Sequence, residues 1–182
     1  MRYGIDMNVM EKEVWLTEGI AVLGKDGFSR ITINNLCQRL QITKGSFYHH
    51  FRSIDGYISS LMRHWLEKNT SSIISQTKQA ESAIKEKRLL YQLTLDINHK
   101  AEQNIRAWSY SHPIVKEYVE KADHLRLNFL TEIRIKMGQG LEKARDLAVQ
   151  EYAVLIGIQQ LFPEMPYEDM MRLQQLYLEG ER

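Results

Sequence analysis

One cysteine, three prolines and a net charge of +1 leave this 182-residue chain without most marks of a specialised protein class. A lone thiol, Cys37, closes no internal disulfide and builds no cysteine-rich zinc site, which fits a reducing compartment. Long apolar runs are missing as well: "YAVLIGI" at 152–158 is the longest, far below the roughly 18 residues that a membrane span needs. The opening "MRYGIDMNVMEKEVW" is broken by acidic and polar residues and does not read as an export signal. A cytoplasmic location without membrane contact is expected. Catalytic signatures are absent too. No Ser/His/Asp spacing, phosphate-cradling glycine loop or carboxylate pair for acid–base work is seen, so neither an enzyme nor a bound cofactor is expected. Near-neutral charge neither demands nor excludes a polyanionic partner. The imbalance is uneven, however: residues 1–66 hold eight basic and six acidic side chains, and the rest hold sixteen and seventeen.

What is present is helical periodicity, and the 43% apolar content is enough to fill a core. A first helix is expected from about Asn8 to Lys25, with Leu16, Ile20 and Leu23 on one face and Gly27 as its stop, after which Phe28 re-enters the core. "TINNLCQRL" then reads as a short helix capped by Thr32, with Ile33, Leu36, Cys37 and Leu40 inward. Thr43 caps a third helix over Lys44 to His50, and Ser53 a fourth running toward Ser75. Residues 86–112 suggest two helices ending before Pro113, which suits a helix start. That next helix reaches about Met137 with Val115, Val119, Ala122, Phe129 and Ile133 in register, and "GQG" at 138–140 breaks it. Two more follow, from Leu141 to Phe162 and from Tyr167 to Leu178.

Two short helices joined by "LQIT", the second opening at a threonine cap, give a helix-turn-helix whose second helix fits a major groove. On a wheel of 100° per residue, Phe47 and Phe51 coincide and point inward, Lys44 and Tyr48 flank them, and Gly45, Ser46 and His49 face out. Each outward group has a use against DNA. Gly45 lets the backbone approach closely, and the free amides of the first turn attract phosphate. Lys44 reaches a phosphate or a guanine edge; Tyr48, His49 and His50 donate hydrogen bonds; Thr32 is placed for another phosphate. The adjacent histidines are a poor metal pair, because neighbours on a helix point about 100° apart. No metal is expected.

The run "GFSRITINNLCQRLQITKGSFYHHFRSIDGY", residues 27–57, resembles the DNA-binding segment of the TetR family of transcriptional regulators, through Gly27, Phe28, Thr32, Thr43, Gly45, Phe47, Tyr48, His50, Phe51 and Ser53. The resemblance implies that Thr32, Thr43, Tyr48 and His50 touch the sugar-phosphate backbone, that Lys44, Gly45, Ser46 and His49 face bases, and that Ser53 belongs to the same DNA-binding set. Ile54 stands where the family usually has a phosphate-contacting lysine, a loss that Arg52 is placed to compensate. Leu40 and Gln41 replace the usual Ala-Gly of the turn.

The expected fold is all-α: a three-helix DNA-binding domain at 1–60 and a helical regulatory and dimerisation domain at 61–182. Residues 104–133 are similar to a regulator subgroup with an "IRAW…P.V…V…D..R" pattern. Trp65, Tyr91, Trp108, Tyr110, Tyr118 and Phe129 are candidate walls for a small-molecule effector, with His99, His112 and His124 as polar anchors. Single aromatics at such spacing also serve as core filler. Ala153, Ile156, Gly157, Met170, Leu173 and Tyr177 on the last two helices are candidates for a two-fold interface, the pairing that the resemblance implies. The function expected is a homodimeric, ligand-responsive repressor on a palindromic DNA operator. An architectural DNA-binding protein without an inducer, and a helical enzyme or ligand carrier, are the alternatives.

Overall fold

The computed structural model describes residues 7–94, 96–162 and 164–179, and among these every regular element is helical. The order is α1 (Met7–Asp26), a single 3₁₀ turn (Phe28–Arg30), α2 (Ile33–Leu40), α3 (Lys44–Phe51), α4 (Ile54–Leu66), a π turn (Glu67–Ser71), α5 (Ser72–Thr77), α6 (Ala83–Thr94), α7 (His99–Ser109), α8 (Pro113–Lys136), α9 (Leu141–Leu161) and α10 (Tyr167–Glu179). No helix of the described residues is long and apolar enough to cross a membrane. The chain forms two compact units, Met1–Trp65 with Lys100–Val119, and Leu66–His99 with Glu120–Arg182.

The first unit has an aromatic and aliphatic interior: Trp15, Val22, Leu23, Leu36, Phe47, Tyr57, Leu61, Met62, Ala101, Ile105 and Val115 are fully buried. Along α2 only Leu36 is buried outright, while Ile33, Cys37 and Leu40 are partly so. Burial of Tyr57 is made possible by Gly19, since a Cβ there would lie 2.2 Å from the tyrosine hydroxyl. That hydroxyl donates to the Trp15 carbonyl at 2.9 Å and ties α4 to α1. Helix α7 joins this interior through a parallel stack of Phe28 on Trp108, centroids 5.8 Å apart, and through the Trp65 indole, which donates to Glu102 at 2.8 Å.

The second unit is held differently. Leu130, Ala148 and Tyr152 form an apolar cluster with Leu90, Leu127, Leu155 and Ile156 against it. Beside it Glu151 is 1% exposed and accepts from Arg134 at 2.6 Å, from the Tyr91 hydroxyl at 2.5 Å and from Lys87 at 3.4 Å. Glu86, also buried, pairs with Lys136 at 2.5 Å. The helical path beyond Leu66 opens into a π turn, in which the Ser72 N–H bonds back to Glu67. Arg126 grips that turn by donating to the Thr70 hydroxyl at 3.0 Å and to the Asn69 carbonyl at 3.3 Å.

Candidate nucleic-acid interface

Both threonine caps close as their sequence positions require. Thr32 lies in extended backbone (φ −130°, ψ 149°), and its hydroxyl accepts the Asn35 N–H at 3.2 Å. Thr43 does the same for Ser46 at 3.4 Å. Each oxygen thereby satisfies one orphan amide of its helix. Its own O–H is left to donate outward. Between the helices Gln41 adopts the left-handed conformation, φ 57° and ψ 35°, at a cost of roughly 1 kcal/mol relative to glycine. The turn therefore keeps its shape without the usual glycine.

Helix α3 is seated by an aromatic cluster. Phe47 is fully buried and Phe51 4% exposed. Trp15 meets both edge-on, at 5.4 and 6.2 Å between centroids. Tyr57 lies 5.6 Å from Phe47 and 4.9 Å from Phe51. Burying each phenylalanine contributes about 1.5–3 kcal/mol, and two of them one turn apart fix both the rotation of α3 and its depth. Trp15 and Tyr57 are the parts of this seat that sequence reading missed; Tyr57 lies one turn before Leu61 on one face of α4, and Trp15 stands beside Leu16 on α1.

With that rotation fixed, the opposite arc is presented to solvent. Lys44, Gly45 and His49 are exposed, Tyr48 is half-exposed, and Ser46 and His50 are partly buried. Nothing among the described residues demands a glycine at 45. A Cβ there would meet only the Thr43 hydroxyl, at an ordinary 3.6 Å. The histidine rings sit nearly edge-on to each other, 5.2 Å between centroids and 74° between planes. Ser53 accepts the Gly56 N–H at 3.0 Å and so caps α4.

Cations of this unit fall into two groups. Arg39 binds Glu18 and Asp26, the latter at 2.8 Å, and clamps α2 to α1. Lys12 stands over the Phe51 ring at 5.5 Å. Arg63 contacts Tyr118, whose phenol is raised by burial but lowered further by hydrogen bonds to Ser59 and Arg63, ending below its ordinary value. Lys25, Arg30, Lys44 and Arg52 are exposed, and no hydrogen bond or ion pair engages their side chains among the described residues. Three of these four, Arg30, Lys44 and Arg52, flank α2 and α3, and Lys25 stands in the last turn of α1.

The other candidates are dispersed. In the first unit, Trp65 and Trp108 are 2% and 6% exposed, with the packing given above, and Tyr118 is held to α4. Tyr110 is 87% exposed in the α7–α8 turn. His112 meets the Trp108 ring at 5.2 Å. Tyr91 and Phe129 belong to the second unit, Tyr91 bound to Glu151 and Phe129 buried beneath Lys78. His99 is partly buried there and His124 is exposed. On α9 and α10, Met170 is buried, Ile156 and Leu173 are partly buried, Ala153 is exposed, and the Tyr177 side chain lies outside the described residues. Among the described residues, a Cβ on Gly157 would meet nothing within 4 Å.

Residues 16–58 match the model of the family described as bacterial regulatory proteins, tetR family. No curated protein sequence matches the chain. Among solved structures, a TetR transcriptional regulator from Legionella pneumophila is similar with a TM-score of 0.77 at 16% identity, over 93% of this chain and 96% of that one. A protein from Saccharomonospora viridis assigned as a transcriptional regulator, solved with choline, has a TM-score of 0.77 at 16% identity, over 94% and 96%. The ketosteroid transcriptional regulator KstR2 of Mycobacterium tuberculosis has a TM-score of 0.56 at 12% identity, over 93% and 91%. At these identities the likeness is one of fold, which covers nearly the whole chain.

Proposed function

Since residues 16–58 carry the helix-turn-helix of the TetR regulatory family, we propose that the chain is a homodimeric transcriptional repressor that binds a palindromic operator and releases it on binding a small-molecule effector. The observation that carries this reading is the division of α3 into a buried aromatic seat and an exposed arc whose glycine serves no internal need. Thr32, Thr43, Tyr48, His50 and Ser53 hold the DNA backbone; Lys44, Gly45, Ser46 and His49 read base edges. Dimerisation suits this reading, because one short helix reads half a site and two of them spaced about 34–36 Å read a palindrome. Gly157, whose added Cβ would meet no described residue within 4 Å, and its neighbours Ala153 and Ile156 support close approach of a second α9. Within the second unit Tyr91, bonded to Glu151, and Phe129, buried beneath Lys78, are the candidates for contact with an effector. An effector acts by binding one of two conformations better than the other.

Gel retardation with genomic fragments selected by the wild-type protein tests the reading. Tyr48→Ala is expected to weaken binding to every duplex, and Lys44→Ala to change sequence preference as well. Wild-type affinity and salt dependence in both variants would remove α3 from the interface. Gly157→Glu is expected to sediment as a monomer that binds DNA poorly. A small molecule that dissociates the complex distinguishes an effector-controlled repressor from an architectural protein.

A further inference from the structure

We infer that Arg52 grips a DNA phosphate at the C-terminal end of α3; the inference rests on the reading of α3 as the DNA-binding helix and adds to it a contact that the family's lysine would otherwise supply. Arg52 follows Tyr48 by one turn, and its N–H bonds to the Tyr48 carbonyl at 3.2 Å. The residue before it, Phe51, is sunk in the core, and the residue after it, Ser53, is fixed by bonding to the Phe51 carbonyl at 2.7 Å and by capping α4. Arg52 is therefore pinned on the rim of the helix between two immobile neighbours. Its backbone lies at φ 61° and ψ −35°, a region that glycine enters freely and a side chain enters with strain. No contact among the described residues explains a long cationic side chain at such a position.

The role of this side chain is narrowed by what surrounds it. Arg39, Arg63 and Lys12 are committed to partners within this unit. Arg52 is exposed, and nothing among the described residues engages its guanidinium. Ile54, partly buried at the start of α4, offers no charge from the adjoining turn. A guanidinium is suited to phosphate by its planar fork of donors. The competing account is purely local: a cation at a helix C-terminus is favoured by the helix dipole whether or not DNA is bound.

Arg52→Gly, Arg52→Lys and Arg52→Gly/Ile54→Lys, compared with wild type across a salt series on the selected duplex and on a scrambled duplex of equal length, separate the two accounts. Arg52→Gly relieves the backbone, so the folded dimer survives. It is expected to lower the slope of log affinity against log salt by about 0.9 per subunit on both duplexes, because each lost phosphate contact releases that much less counterion. Arg52→Lys keeps most of the slope, and Ile54→Lys in the glycine background restores it. An unchanged slope in Arg52→Gly overturns the inference and leaves the residue as a helix-end cation. If the wild-type protein itself retains no duplex, the reading of α3 fails first, which is a separate result.

Discussion

Around α3 the interior is aromatic and almost free of charge, with the Tyr57 hydroxyl on the Trp15 carbonyl as its polar tie. In the second unit, carboxylates and guanidinium groups are themselves part of the interior, with Glu151 and Arg134 1% and 5% exposed. Apolar packing of large rings has few alternative arrangements, so it holds α3 at one depth and one rotation. Ion pairs are directional and can exchange partners, and they leave a unit poised between arrangements only if every member stays paired. The contrast matches the division of labour proposed for a regulator, with a rigid reader and a re-pairable sensor.

Phe47→Ala attacks the first half of that contrast and has the largest expected effect, a loss of about 3–5 kcal/mol from the emptied aromatic seat. All three tryptophans, at 15, 65 and 108, lie in the first unit, so tryptophan fluorescence follows that unit during urea unfolding while circular dichroism follows both. The fluorescence transition should move most. Glu151→Gln attacks the second half by leaving Arg134 buried with a neutral partner, for a loss of about 3 kcal/mol. The double change Glu151→Leu with Arg134→Met should return stability to within about 1 kcal/mol of wild type while weakening any effector response. If the single change costs nothing in a denaturation curve, the pair is not a structural element of the unit.

Smaller effects sharpen the account of the seat. Gly19→Ala should destabilise by about 1–3 kcal/mol by driving a methyl group into Tyr57. Tyr57 also supplies a pH signature: burial, aided by the charge of Glu18, pushes its phenol well above the ordinary value near 10. A folded-state pKa above the unfolded one means that this contribution is complete below about pH 10 and is lost as pH rises above it. Wild-type protein should therefore lose stability above about pH 10 more steeply than Tyr57→Phe in parallel urea titrations. Smallest is Gly45→Ala, expected to raise stability by about 0.5 kcal/mol yet reduce DNA affinity at least tenfold in retardation assays. Unchanged affinity would show that the arc at 45 does not approach DNA.

The helices could be read from apolar spacing, from the caps Thr32, Thr43 and Ser53, and from the breaks at Gly27 and Pro113, because these signals are local. The inward turn of Phe47 and Phe51 was legible for the same reason. What was not legible depends on partners distant in sequence. Nothing near residue 39 announces that Arg39 is spent on Glu18 and Asp26, or that Glu151 draws in residues 87, 91 and 134. The π turn at Glu67–Ser71 also interrupts what reads as an unbroken helical pattern. Its grip by Arg126 comes from 56 positions away.

The central claim is that α3 of each subunit enters a major groove of one operator. The most direct measurement is a footprint of the wild-type protein on genomic fragments recovered by selection, with the mass of the complex determined on the same duplex. The account predicts a dimer protecting a palindrome whose half-sites lie about 10–10.5 base pairs apart, with protection abolished by Tyr48→Ala. A monomer on the duplex, or fragments retained no better than scrambled DNA, would contradict it.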